Sequence, residues 1–283
     1  MTSSTAPISI VTGGGTGIGR ALALQLSSHG RRVLICGRRL EPLVETQKLG
    51  STGTIEWIQC DVSTSAGAEA ILSRVKELEG RVAHLVQNAA ILGPVDRISD
   101  VDMSQWQKTF DINVHGPLRL VQTLLPHFDS GARILHISSG AAHSAIDGWG
   151  AYCCSKAAFH MLYQILRSEL GRRGLLVGSV RPGVVDTPMQ AVIRGSSEDA
   201  FPALARFKSL HEHSRGAAEG PAPAGAGAEA ATAAPPPKDG LDSPANVGVF
   251  LRWLLCSTSD EEFAAAEWDV RDAAHFHRWA SAE

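Results

Sequence analysis

The stretch that most constrains this chain lies near its start. Ile8-Ser9-Ile10-Val11-Thr12 is a β-rich run that enters Gly13-Gly14-Gly15-Thr16-Gly17-Ile18-Gly19, and the chain then turns helical through Arg20-Ala21-Leu22-Ala23-Leu24-Gln25-Leu26. In a strand, glycine turn and helix of this order, the backbone can come close to a pyrophosphate. The unpaired N–H groups and dipole of the helix N-terminus then attract its charge. Gly13, Thr16, Gly17, Ile18 and Gly19 form the candidate cradle. A glycine cluster alone is usually an ordinary turn; the flanking strand and helix make the phosphate reading specific.

The alternation continues. Arg32 to Gly37 reads as a second strand, as a parallel βαβ unit requires. A carboxylate about 20 residues beyond the glycines would hold a ribose 2′-hydroxyl and repel a 2′-phosphate. Here the strand ends in Gly37-Arg38-Arg39, whose guanidiniums suit a phosphate, so NADP(H) is expected over NAD(H), with Arg38 as the contact. The plainer alternative is a pair of solvated helix-start residues. Thr54 to Cys60 alternates as a strand and delivers Asp61-Val62 to the sheet edge, where the carboxylate can accept from an adenine amino group or simply cap the next helix. Val82 to Gln87 is almost wholly apolar, as a central parallel strand should be, and ends in Asn88-Ala89-Ala90-Ile91, where small residues let a ligand ring approach.

Ser104 to His127 reads as one long helix, with Trp106, Phe110, Val114, Leu118 and Val121 at helical spacing. Asn113 lies among them, and a buried amide without partners costs a few kcal/mol, roughly. It is therefore a structural bridge or part of a proton path. Arg133 to Ile137 is a fifth strand that brings Ser138-Ser139 to the sheet edge, thirteen residues before Tyr152. Tyr152 and Lys156 are four apart, so on a helix they share a face. The ammonium should lower the phenol pKa from about 10 towards neutrality, where a general acid works best. Taken alone, the spacing is more often an exposed polar pair at a helix start. The apolar stripe that follows, Ala158, Met161, Leu162, Ile165, Leu166 and Leu170, is core or subunit interface.

Leu175 to Arg181 is the sixth strand and closes with Pro182-Gly183-Val184-Val185-Asp186-Thr187-Pro188-Met189. Residues 190–214 are amphipathic, with Phe201, Leu204, Phe207 and Leu210 three apart, and are expected to be a substrate lid. Residues 216–237 are nearly pure Ala, Gly and Pro, too poor in apolar bulk to offset their ordering entropy, and are expected to be a mobile loop. Val247 to Cys256 is a helix and Glu267 to Val270 a last edge strand. The expected fold is one α/β domain over residues 1–283, a doubly wound parallel sheet of Rossmann type with helices on both faces.

A net charge of -3 gives no argument for nucleic acid or anionic membrane as partner. The five cysteines are odd in number and none forms C-x-x-C, which suits free thiols, with Cys153 and Cys154 as small packing residues; no metal site is expected. No run of about 20 apolar residues occurs, and Met1 to Pro7 carries no targeting pattern, so a cytoplasmic location is expected.

Together, T-G-x-x-x-G-x-G at Thr12 to Gly19, Asp61-Val62, Asn88-Ala89, Asn113, Ser139, Y-x-x-x-K at Tyr152 and Lys156, and P-G-x-V-x-T at Pro182 to Thr187 resemble the short-chain dehydrogenase/reductase family over nearly the whole chain. W-G-A-Y-C-x-S-K-A-A and E-E-F-x-x-x-E-W-D-V look like its branch of sepiapterin and benzil (diketone) reductases. The departures are Gln87-Asn88-Ala89-Ala90 where N-N-A-G is usual, and the 216–237 insertion.

The resemblance implies NADPH-dependent reduction of a small ketone, diketone or pterin-like carbonyl. Tyr152 would give the proton and Ser139 hold the carbonyl oxygen. Lys156 would lower the Tyr152 pKa and hold the nicotinamide ribose, with Asn113 supporting a water path. Gly13, Gly17 and Gly19 would cradle the pyrophosphate, Arg38 meet the 2′-phosphate, and Asp61 with Val62 the adenine. Asn88, Ala89, Pro182, Gly183, Val185 and Thr187 would complete the cofactor site on its nicotinamide side. Ile91, Trp149 and Met189 are candidates for an apolar substrate wall, from loop position. Relatives pair through the helices at Ser104 to His127 and Tyr152 to Arg172, so a homodimer or homotetramer is expected. Two other readings stay open: an NADP(H) sensor without turnover, and an alcohol dehydrogenase running in the oxidative direction.

Overall fold

The computed structural model describes residues 6–218, 235, 237 and 240–281. The first half of the chain forms β1 (Ile8–Thr12), α1 (Gly17–Ser28), β2 (Arg32–Gly37), α2 (Leu40–Leu49), β3 (Ile55–Gln59), α3 (Ser65–Glu77) and β4 (Val82–Gln87). Then come α4 (Met103–Phe110), α5 (Gly116–Leu124), β5 (Phe128–Ile137), α6 (Gly150–Gly171) and β6 (Leu176–Arg181). The C-terminal part adds α7 (Pro188–Arg194), α8 (Leu204–Ala218), α9 (Pro244–Cys256), α10 (Asp260–Ala265), β7 (Glu267–Asp269) and α11 (Ala273–Ala280). The strands make one seven-stranded sheet in the order β3-β2-β1-β4-β5-β6-β7, parallel at every pairing. The order reverses between β1 and β4. A crevice opens there beyond the strands' C-terminal ends.

Strand side chains alternate between faces, and each face is buried. Val11, Val33, Ile35 and Val86 pack with Leu22 and Leu26 of α1, Phe250 and Leu254 of α9, and Trp279 of α11. Ile10, Leu34, Cys36 and Leu85 pack instead with Ile71 and Val75 of α3, Leu120 and Leu124 of α5, and Tyr163 and Leu166 of α6. The sheet is thus covered on both sides, as the alternation in the sequence predicts.

Three local features differ from the sequence expectation. The helix expected over Ser104 to His127 is not uniform: a π turn, Asp111–His115, separates α4 from α5, and a 3₁₀ turn follows at Leu125–His127. Pro117 has no N–H, so it cannot give the Asn113 carbonyl its α-type partner. Such π turns inside helices commonly mark functional positions. The fifth strand starts at Phe128 rather than Arg133, because Phe128 pairs with Val82 across a register shift and Gly131 takes φ +74°. Short helices α10 and α11 add to the elements read from the sequence. The segment 216–237 lies outside the described residues apart from its first three, which end α8, and Pro235 and Pro237. Among the described residues no helix is long and apolar enough to cross a membrane.

Two core histidines give the fold an acid limit. Burial, then the charges of Arg31 and Arg133, push His84 down to about 4, and burial, then Lys156, pushes His136 down to about 3. Both folded values lie below the unfolded value, so the unfolded chain binds more protons as pH falls from about 6.5 to about 3. Stability is full above that window and is lost through it, by a few kcal/mol, roughly. Urea midpoints measured from pH 7 to pH 4 should fall steadily, and His136→Asn should flatten the slope.

Candidate active site

The glycine turn meets the crevice between β1 and β4. Gly13 and Gly17 take φ +68° and +54°, a region L side chains rarely adopt. A Cβ on Gly19 would lie 2.3 Å from the Gly13 carbonyl oxygen and 2.5 Å from Asn88 Nδ2. Arg20 stiffens the turn from behind, its Nε donating to the Gly15 carbonyl at 2.9 Å and to Thr46 Oγ1 at 3.1 Å. Arg20 and Thr46 carry no motif signal, since they are 26 residues apart.

Thr16 stands at the N-cap of α1 and Thr187 at that of α7, and neither side chain makes a capping hydrogen bond. The methyl of Thr187 lies 3.0 Å from where a Gly17 Cβ would be, so the Pro182 to Thr187 loop closes over the glycine turn. Gly183 turns that loop at φ +76°, and Val185 pairs with Asp242 as an isolated bridge. The first turn of α1 carries no acidic side chain. Bare glycines, two uncapped hydroxyls and a helix N-terminus form a donor set suited to a pyrophosphate.

Asn88, expected to face the cofactor, is occupied within the protein. Its Nδ2 donates to the Thr12 carbonyl at 2.8 Å, and the backbone N–H groups of Asn88 and Ala89 donate to Thr12 Oγ1 at 3.0 Å each. The side chain staples β1 to β4 at the mouth of the crevice. Arg38, exposed at the end of β2, faces Asp61 at the end of β3. Burial pushes the Asp61 carboxyl up, but the Ser63 hydroxyl and amide, then the Arg38 charge, outweigh it and hold it below its usual value. Asp61 Oδ1 accepts from Ser63 N at 2.9 Å and Ser63 Oγ at 2.7 Å, whereas Thr64 caps α3. Val62 is buried beside Gly116.

Across the crevice, β5 delivers Ser139, and the first two turns of α6 carry Tyr152 and Lys156, 7% and 3% exposed. Ser139 stands beside the Tyr152 phenol and pulls its pKa down, and its hydroxyl accepts from Ala141 N at 3.2 Å. Lys156 Nζ donates to the Ile137 carbonyl at 2.8 Å and lies 5.8 Å from the centroid of the Tyr152 ring. The expected lowering of the phenol pKa does not hold in this arrangement. Burial pushes Tyr152 up to about 12 against the pull of Ser139, and burial pushes Lys156 down to about 8. Lys156 is directed at a backbone carbonyl, and desolvation of both groups exceeds any help between them. The phenol therefore keeps its proton throughout the neutral range.

Asn113 bridges the segment after β4 to α6. Its Oδ1 accepts from Ile91 N and its Nδ2 donates to Ile91 O, both at 2.9 Å, and Nδ2 also donates to Ser155 Oγ at 3.0 Å. Ser155, missed in the sequence, passes the link on by donating to the Tyr152 carbonyl at 2.9 Å. Its only signal is its place between Tyr152 and Lys156. Asn113→Ala would strip partners from three polar groups, and a destabilisation of about 2–4 kcal/mol is expected in urea unfolding, with Ser155→Ala costing about 1 kcal/mol.

Trp149 and Met189 of the expected wall join one apolar cluster with Tyr152, Leu92, Ile193, Phe201, Leu204 and Phe207. Trp149 stands edge-on to Tyr152 at 5.7 Å and stacks on Phe201 at 5.1 Å. Ile91 stays apart from this cluster, its backbone held by Asn113. Gly148 at φ +81° permits the approach, since a Cβ there would lie 2.1 Å from the Ala200 carbonyl oxygen. An ion pair between Arg97 and Asp199 fastens the same segment from outside.

Residues 7–198 match the family model for short chain dehydrogenases. An uncharacterized oxidoreductase of Schizosaccharomyces pombe is 36% identical over 70% of this chain and 78% of its own. A benzil reductase ((S)-benzoin forming) of Bacillus subtilis is 33% identical over 72% of this chain and 84% of its own, in line with the expected branch. Among solved structures, an actinorhodin polyketide ketoreductase variant with NADPH is 25% identical and superposes with a TM-score of 0.76 over 95% of this chain and 97% of its own. With its parallel sheet, glycine turn and the Ser139, Tyr152 and Lys156 grouping at one sheet edge, this chain belongs to the short-chain dehydrogenase/reductase family of oxidoreductases.

Proposed function

We propose that the protein is an NADPH-dependent carbonyl reductase acting on a small ketone, diketone or pterin-like carbonyl, with Tyr152 as the general acid. The observation that carries this reading is the adjacency of two hydroxyls, Ser139 and a protonated Tyr152, at the mouth of the switch-point crevice. Two donors aimed at one developing oxyanion are the preorganised arrangement that contributes most to such rates. The names of the benzil reductase and ketoreductase relatives point to the same chemistry.

When bound, NADPH supplies the hydride. The α1 N-terminus with Thr16 and Thr187 would hold its pyrophosphate, Arg38 its 2′-phosphate and Asp61 its adenine. Ser139 would hold the carbonyl oxygen, and Tyr152 would pass its phenol proton to that oxygen as charge develops there. Lys156, buried one turn away, would stabilise the phenolate left behind, and the Trp149, Phe201 and Phe207 rings would exclude water. Residues 190–214 would act as the lid over this wall.

A sensor without turnover needs neither the Ser139 nor the Tyr152 hydroxyl. Oxidation in the reverse direction uses the same residues and is separated by equilibrium rather than geometry. The deciding experiment is a screen of NADPH oxidation over diketones, pterins, quinones, aldehydes and ketosteroids; tight binding with no turnover on any of them would sink the reading. Arg38→Asp should lower the NADPH to NADH ratio of kcat/KM by about tenfold to several hundredfold, the worth of a charge-assisted phosphate contact. An unchanged ratio would place the 2′-phosphate elsewhere.

A further inference from the structure

Beyond the reductase site, His143, His160 and Glu267 meet on the far side of the catalytic loop. His143 follows Ser139 by four residues, His160 follows Lys156 by one helical turn on α6, and Glu267 opens the edge strand β7. Three elements thus converge on one point. Glu267 Oε2 lies 2.7 Å from His143 Nε2 and Oε1 lies 3.1 Å from His160 Nδ1, with the two rings 4.5 Å apart edge to face. One ligand atom from each residue lies within 4.8 Å of those from the other two. A tetrahedral zinc with bonds of about 2.0–2.1 Å needs neighbouring ligand atoms about 3.3 Å apart, within reach of small side-chain rotations.

We propose that these three side chains form a divalent-cation site, best suited to Zn2+, that clamps the catalytic loop to α6 and β7. Imidazole and carboxylate are the ligands zinc takes, and three protein ligands with an open fourth position are the pattern of a zinc site accessible to solvent. Two of the three, His160 and Glu267, also line a cavity of about 570 Å3 with Tyr163, Gln164 and Arg167.

The surroundings supply the second layer such a site requires. Ser179 Oγ donates to Glu267 Oε1 at 2.8 Å, which fixes the carboxylate. Gln164 Nε2 lies 2.9 Å from His160 Nε2. Turning over the Gln164 amide would present its oxygen there, hold the proton on Nε2 and free Nδ1 for the metal. Arg181 Nε, 3.4 Å from Glu267 Oε2, opposes a cation, but its charge is shared with Asp269 at 3.3 Å. No motif spacing points to this cluster, because the three ligands are spread over 124 residues.

The test is calorimetry of the metal-stripped full chain with ZnCl2. One ion per chain should bind with proton release. His143→Ala, which removes a half-exposed imidazole, should weaken it by more than the 10–100-fold, roughly, that loss of a supporting contact costs. Zn2+ should also raise the Tm of the wild type and not that of His143→Ala. Gln164→Leu, which leaves all three ligands in place, should cost about tenfold in affinity. No binding by the wild type overturns the site. Equal affinity in the wild type and His143→Ala overturns it as well.

Discussion

Tyr152→Phe is expected to lower NADPH-dependent carbonyl reduction by about 10²–10⁴-fold, the loss that follows removal of a positioned proton donor. The ring stays, so the edge-on contact with Trp149 and the packing around it are kept. Lys156 also keeps its bond to the Ile137 carbonyl, so NADPH binding by calorimetry and the circular dichroism spectrum should match the wild type. Burial already holds the group as the neutral phenol, so the change removes no charge from the core. Turnover retained in Tyr152→Phe would show that the proton comes from another residue or from water. The proposed mechanism would then fail, although the family assignment would stand.

Gly19→Ala should be the most damaging change on the cofactor side. The added methyl would sit 2.3 Å from the Gly13 carbonyl oxygen and 2.5 Å from Asn88 Nδ2, both fixed by the staple between β1 and β4. Backbone cannot yield there cheaply, so the cradle must open. NADPH affinity is expected to fall by about 100-fold or more, about 2.7 kcal/mol. Gly171→Ala is the control. Its Cβ meets nothing within 4 Å near the end of α6, and it should leave affinity unchanged while adding about 0.5–1 kcal/mol of stability. Wild-type affinity in Gly19→Ala would mean that the pyrophosphate is held away from this turn.

Much of this architecture is legible in the sequence. Alternating apolar residues such as Val33 and Ile35 against Leu34 and Cys36 follow from a two-residue period, and each set found its own face of the sheet. The glycine turn, the end of β5 at Ser139 and the four-residue step from Tyr152 to Lys156 are likewise short-range features. Boundaries were less legible. A proline and a π turn inside an apolar helical pattern leave its periodicity almost intact, so the break at Asp111–His115 was hidden.

The sequence by itself determined the order of strands and helices, the position of the phosphate cradle and which polar residues reach the sheet edge, because backbone geometry and side-chain period act over a few residues. Only the tertiary structure decided the ionisation of Tyr152 and Lys156, since desolvation depends on everything packed around them. It also decided that Asn113 and Asn88 bind their own chain, across 22 and 76 residues. The stack of Trp149 on Phe201 and the meeting of His143, His160 and Glu267 arose in the same way. Such pairings form between segments remote in the chain, and local spacing carries no record of what a distant segment will bring beside it.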